Sequence, residues 1–132
     1  NIIINPTEHV DFEEKVLVAS GWEPGCSTDY DTVLLATNLE AKTIINLSNI
    51  DHIYDKDPKE FSNAKPLKEI TWDDLISMLP TEWKPGLNTP FDPKAAKVAK
   101  EFGMEVITMS GGNLENLDDY LSGTAFQGTR VY

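Results

Sequence analysis

The stretch Gly21-Trp22-Glu23-Pro24-Gly25-Cys26-Ser27-Thr28-Asp29 most constrains what this chain can fold into, because it follows the apolar run Val16-Leu17-Val18-Ala19-Ser20 directly. A short apolar run, a glycine loop and then Ser-Thr-Asp ahead of an apolar-periodic segment read as strand, loop and helix N-terminus. Gly21 and Gly25 lack a Cβ, so the backbone can approach a ligand closely there. Ser27 and Thr28 offer hydroxyls and N-capping capacity. The free N–H groups and partial positive charge of a first helical turn favour an anion, typically a phosphate. The plainer reading is an ordinary βα turn ahead of a capped helix, and the stretch alone leaves both open.

The alternation extends along the chain. Residues 2–4, 16–20, 43–47 and 105–109 are short, continuously apolar runs, as expected of strands covered on both faces. Helical patterns lie at 31–39, 73–79, 93–102 and 114–121. The third opens on Pro93, which suits a first-turn position, and stops before Gly103. Strands alternating with helices predict an α/β fold whose mostly parallel sheet is sandwiched by helices. Residues 81–90 hold two prolines and a glycine and are expected to be irregular surface structure.

A net charge of −11 argues against a nucleic-acid surface, which requires clustered Lys and Arg. It leaves a nucleotide site open, since backbone amides and Mg²⁺ neutralise phosphates locally. Cys26 is the single cysteine, so no internal disulfide forms, which fits a reducing cytoplasm. No apolar run approaches a membrane span. No Cys/His cluster has metal-ligand spacing, and His9 carries no motif.

A second segment adds weight to the first. Ser48-Asn49-Ile50-Asp51-His52-Ile53-Tyr54-Asp55-Lys56-Asp57-Pro58 follows the run Thr43-Ile44-Ile45-Asn46-Leu47. Together the two segments resemble the C-terminal half of the uridylate (UMP) kinases within the amino acid kinase family. In that family a strand leads to a glycine loop ending in Thr-Thr-Asp or Ser-Thr-Asp. The next strand ends in Ser or Thr, then a Val-Asp-Gly-Val-Tyr type stretch and an Asp-Pro pair. The likeness continues through Leu67-Lys68-Glu69-Ile70-Thr71-Trp72-Asp73-Asp74, then Phe91-Asp92-Pro93-Lys94-Ala95-Ala96-Lys97, and closes on Gly128-Thr129-Arg130-Val131. It covers residues 16 to 132 in the family's order.

The resemblance implies a nucleoside monophosphate kinase moving the γ-phosphoryl of ATP, as its Mg²⁺ complex, to UMP in pyrimidine nucleotide biosynthesis. Positioning and charge neutralisation are what such a transfer asks of a protein. Gly21, Trp22, Glu23, Pro24, Gly25, Cys26, Ser27 and Thr28 would serve the acceptor UMP. Ser48, Tyr54 and Asp57 would serve the donor ATP, and Asp92 would be the catalytic acid that orients groups near the γ-phosphate. No protein metal ligand is implied. Plainer roles stand beside these: a turn at Asp57-Pro58, an N-cap at Asp92, and a first-turn acid at Asp29. His52 replaces a usual glycine and would be strained if that position needs a positive φ.

Residues 1–132 are read as the C-terminal nucleotide-binding portion of such a domain, because the family's glycine-rich loop and its lysine are absent here. The portion alone is expected to be inactive. The resemblance further implies a cytoplasmic homo-oligomer, commonly a hexamer, built through N-terminal contacts. Two other readings remain: a relative phosphorylating a carboxylate or another phosphate, and a non-catalytic nucleotide- or oxyanion-binding storage or regulatory protein.

Overall fold

Strands and helices alternate as the periodicity requires. The computed structural model describes residues 2–82, 84, 86 and 89–132. β1 (Ile2–Ile3) and β2 (Val18–Ala19) form a parallel pair. After α1 (Thr28–Asn38) come β3 (Thr43–Ser48) and an antiparallel ribbon of β4 (Ile53–Tyr54) and β5 (Pro66–Leu67). β6 (Glu69–Ile70), α2 (Trp72–Met78), α3 (Pro93–Glu101), β7 (Glu105–Ser110), α4 (Leu114–Leu121) and β8 (Thr129–Val131) complete the described elements. The expected irregular segment at 81–90 lies partly outside the described residues, as does Asn1.

The central sheet has the order β3-β7-β8-β6. β3 and β7 run parallel in full register, from Thr43 opposite Glu105 to Ser48 opposite Ser110. β8 is parallel to β6 but antiparallel to β7, so three of the five strand pairings among the described residues are parallel. The reversal at β8 has a side-chain cause. Residues 122–128 bring the chain back along α4, and the buried Asn116 clamps them. Its Nδ2 donates to Gln127 O at 2.7 Å and its Oδ1 accepts Gln127 N–H at 2.6 Å. The Tyr120 and Phe126 rings pack edge to face at 5.0 Å beside it.

β7 is covered on both faces, as its continuous apolar run requires. Val106 faces a core shared with α1, α2 and α3, where the fully buried Ala95, Ala96 and Ala99 let α3 lie close to its neighbours. Met109 faces α4, with its sulfur 3.7 Å from Asn116 Nδ2. The β1/β2 pair is less covered, and Ile2, Ile4, Val16 and Val18 are all exposed.

At the return to β8, a Cβ on Gly128 would stand 2.5 Å from Thr108 O and 3.0 Å from the Phe126 ring. Thr108 is a backbone contact in a strand buried on both faces, so it cannot yield cheaply. Gly128→Ala is expected to cost about 1–3 kcal/mol, the range for overpacking a filled interior. A urea midpoint unchanged from wild type would show that this corner relaxes freely.

Candidate functional site

Ser27 caps α1, with its backbone extended and its Oγ accepting Tyr30 N–H at 3.1 Å. The helix therefore starts at Thr28, three residues before the apolar periodicity shows it. Asp92 caps α3 in the same way, its Oδ1 accepting Lys94 N–H at 2.6 Å and Ala95 N–H at 3.2 Å. The two caps meet, because Ser27 Oγ donates to Asp92 Oδ2. Asp29, in the first turn of α1, accepts the Asp92 backbone N–H at 3.0 Å. Burial pushes the Asp29 carboxyl above its ordinary range; the Asp92 amide opposes that shift and the Asp92 charge adds to it. Two helix N-termini are thus locked side by side through residues 63 and 65 positions apart.

Asp92 is 2 % exposed, so the carboxylate expected to act in catalysis is buried and fully engaged in these bonds. A cation stands at the same junction. Lys94 Nζ lies 3.9 Å from the centre of the Tyr30 ring, joining α3 to α1.

The loop ahead of α1 is exposed over Gly21 and Glu23 to Gly25, with Trp22, Cys26 and Ser27 half-buried. Gly25 has φ +94 and a Cβ there would meet nothing within 4 Å, so the backbone shape requires glycine while the space above it is open. Trp22 N–H donates to Asp31 Oδ2 at 3.0 Å. Burial, with Asp31 and Glu23 nearby, pushes the Cys26 thiol up. That thiol stays protonated and is a poor nucleophile.

The second segment builds a separate cavity at the C-terminal end of β3, about 390 Å³ in volume. Ser48, Tyr54 and Asp57 all line it, with His52, Lys56 and Thr89 among its other walls. Tyr54 Oη donates to Asp51 Oδ1 at 3.1 Å. Burial would raise the Asp51 carboxyl, but the hydrogen bonds from Tyr54 and His52 outweigh it and hold Asp51 low. Burial and the Asp51 charge push the Tyr54 phenol up. Asp57 also heads a turn, its Oδ1 accepting Lys59 N–H at 2.8 Å, so the plainer role coexists with the cavity position. The strain expected at His52 is absent: Glu40, at φ 54, is the one described non-glycine residue with a positive φ. The loop here has a shape that a side chain tolerates.

Thr89 and Pro90 close one side of this cavity, immediately before Phe91 and Asp92. This cavity and the Ser27–Asp92 junction are therefore joined along the chain. Lys56 and Lys59 bring positive charge to the cavity wall of an acidic protein; they flank Asp57-Pro58 in the sequence and could have been found there. Asp31 had no comparable signal, since an acid in a first helical turn is ordinary. Among the described residues no group of three His, Cys, Asp or Glu is placed to hold a metal ion, and no helix is long and apolar enough to cross a membrane.

The sequence profile of the amino acid kinase family matches residues 2–110. The chain is 36% identical over 118 residues to a uridylate kinase of Methanobrevibacter smithii, covering 89% of this chain and 52% of that protein. It is 34% identical over 98 residues to a uridylate kinase of Methanococcoides burtonii, covering 74% of this chain and 42% of that protein. The crystal structure of uridylate kinase from Archaeoglobus fulgidus superposes with a TM-score of 0.74 at 29% identity, over 89% of this chain and 52% of that one. An aspartate kinase from Synechocystis shares the fold at a TM-score of 0.64 and 21% identity, over 88% of this chain and 19% of that one. The chain spans about half the length of the curated relatives it matches.

Proposed function

This chain belongs to the amino acid kinase family, and from that premise we propose that it carries the nucleotide-handling part of a UMP kinase, transferring the γ-phosphoryl of ATP to UMP. The observation that carries the reading is the convergence of Ser48, Tyr54 and Asp57 on one cavity whose wall also holds Thr89 and Pro90, with Pro90 two positions ahead of Asp92 in the chain. In this reading the cavity takes ATP, with Lys56 and Lys59 facing its charge. The loop of residues 21–28 takes UMP, whose phosphate meets the open amides of α1.

Asp92 and Ser27 hold the two helix N-termini at a fixed spacing, so that donor and acceptor phosphates need not be reoriented at the moment of transfer. In this reading Mg²⁺ would arrive with ATP and be held mainly by its phosphates. It would supply positive charge that neutralises the transferred phosphoryl group. A cytoplasmic setting suits these substrates and a lone thiol.

The direct test is UDP formation from ATP and UMP by the complete gene product. CMP, aspartate and acetylglutamate serve as competing acceptors. Tight ATP binding without turnover of any acceptor would favour the non-catalytic binding protein instead. The donor assignment has its own test in Asp57→Asn, which keeps the oxygen that accepts Lys59 N–H and so keeps the turn. The ATP KM is expected to rise about five- to tenfold, the loss of one hydrogen bond of about 1–1.5 kcal/mol, with the UMP KM unchanged. A rise confined to UMP would reverse the two loops.

A further inference from the structure

Asp31 is the charged group that the fold itself accounts for least. It is 8 % exposed, yet of its two carboxylate oxygens only Oδ2 is engaged, by the Trp22 amide; Oδ1 is buried with no hydrogen-bond partner among the described residues. Leaving a buried charged oxygen unpaired opposes folding, and the single bond to Trp22 offsets that penalty at best. A first-turn acid serving only the helix dipole would act as well from the exposed side of α1. Stability therefore does not explain the residue, and its position does.

The amide it holds heads the loop Gly21–Gly25. Within that loop the Cys26 N–H donates to Glu23 O, a bond internal to the turn. The Trp22–Asp31 bond is the one hydrogen bond among the described residues that ties positions 21–25 to another element. Packing around the loop is incomplete, with Trp22 half-buried and residues 21 and 23–25 exposed. A cavity of about 110 Å³ adjoins its first residue, walled by Ser20, Gly21, Thr28 and Asp31 among others. Without the carboxylate the loop has both the freedom and the space to move.

We infer that Asp31 is a positioning residue for acceptor recognition, fixing the Gly21–Gly25 loop in the shape that receives a nucleoside monophosphate. The inference rests on the assignment of this loop to the acceptor. Asp31 acts through Trp22 and does not touch the phosphates.

The test compares Asp31→Ala and Asp31→Asn in the complete gene product. Asp31→Ala is expected to raise the UMP KM about tenfold, equivalent to about 1.4 kcal/mol, with kcat and the ATP KM within about twofold of wild type. Asp31→Asn supplies an acceptor oxygen without the charge and should restore the UMP KM. Because both changes remove a buried charge whose Oδ1 has no partner among the described residues, the melting temperature of both variants should equal or exceed that of wild type. Hydrogen exchange at the Trp22 amide gives a reading that needs no substrate: faster in Asp31→Ala, wild-type in Asp31→Asn. Equal increases in both KM values, failure of Asn to restore, or unchanged Trp22 exchange would each overturn the inference. If Asp31→Ala melts well below wild type, the structural role it was argued to lack is real, and the inference falls. If the wild type phosphorylates no nucleotide, the proposed function fails by itself, and the exchange comparison alone decides whether Asp31 positions the loop.

Discussion

Asp92→Asn is expected to lower kcat by roughly ten- to a thousandfold, as for the loss of one preorganised electrostatic contact, while the melting temperature hardly changes. The two halves of that expectation come from different bonds. Asn retains an Oδ1 to accept the Lys94 and Ala95 amides, and Asn caps a helix about as well as Asp. The bond from Ser27 Oγ to Oδ2 cannot survive unchanged, because an amide NH₂ stands where the acceptor was. Ser27 must turn its proton elsewhere, and the negative charge between the two helix starts is gone. Steady-state kinetics and thermal melting on the complete gene product check both parts. An unchanged kcat at unchanged stability would leave Asp92 a capping residue and no more.

The second large effect is on folding. Phe91 is 2 % exposed, its ring 5.9 Å from that of Trp72, and it immediately precedes Asp92. Trp72 cannot follow a shrinking neighbour, because its Nε1–H donates to Met104 O at 2.8 Å. The cavity left by Phe91→Ala would therefore stay largely open, and a loss of about 3–5 kcal/mol is expected, the usual cost of truncating a buried Phe. Urea denaturation measures it. Phe91→Leu, which fills most of the space, should cost no more than about 1.5 kcal/mol. A loss below about 1 kcal/mol in the alanine variant would mean that α2 and α3 close the gap, contrary to the rigidity argued here.

The parts of this fold legible in the sequence are those whose cause is local. Apolar continuity marked β3 and β7 to within a residue, since strands covered on both faces carry no alternation to confuse them. The helical pattern at Leu114–Leu121 follows Gly111-Gly112-Asn113 in the sequence, and the helix occupies those residues. The two-residue strands β4, β5 and β6 left no trace. Their pairing is imposed by distant partners, such as Thr129, whose Oγ1 accepts Ile53 N–H at 2.8 Å. The site divides the same way. Ser48, Tyr54 and Asp57 are close in sequence and share a cavity, so one segment displayed them together. The Ser27–Asp92 bond crosses 65 positions and Asp31 looks like any other first-turn acid, so neither could be read before the chain was folded.

Thr129 also sets an order of events during synthesis. It bonds Ile53 through its Oγ1 and donates to Leu67 O at 2.5 Å, thereby bracing the ribbon that carries Tyr54. On the ribosome, Ile53 emerges seventy-six residues before this brace exists. Until then, the nascent ribbon of β4 and β5 has its own pairing but not the brace that fastens it to the central sheet. In the proposed reading, a nucleotide bound beside Tyr54 would stabilise only a chain already made past β8, favouring finished molecules and giving unfinished ones no protection from proteases.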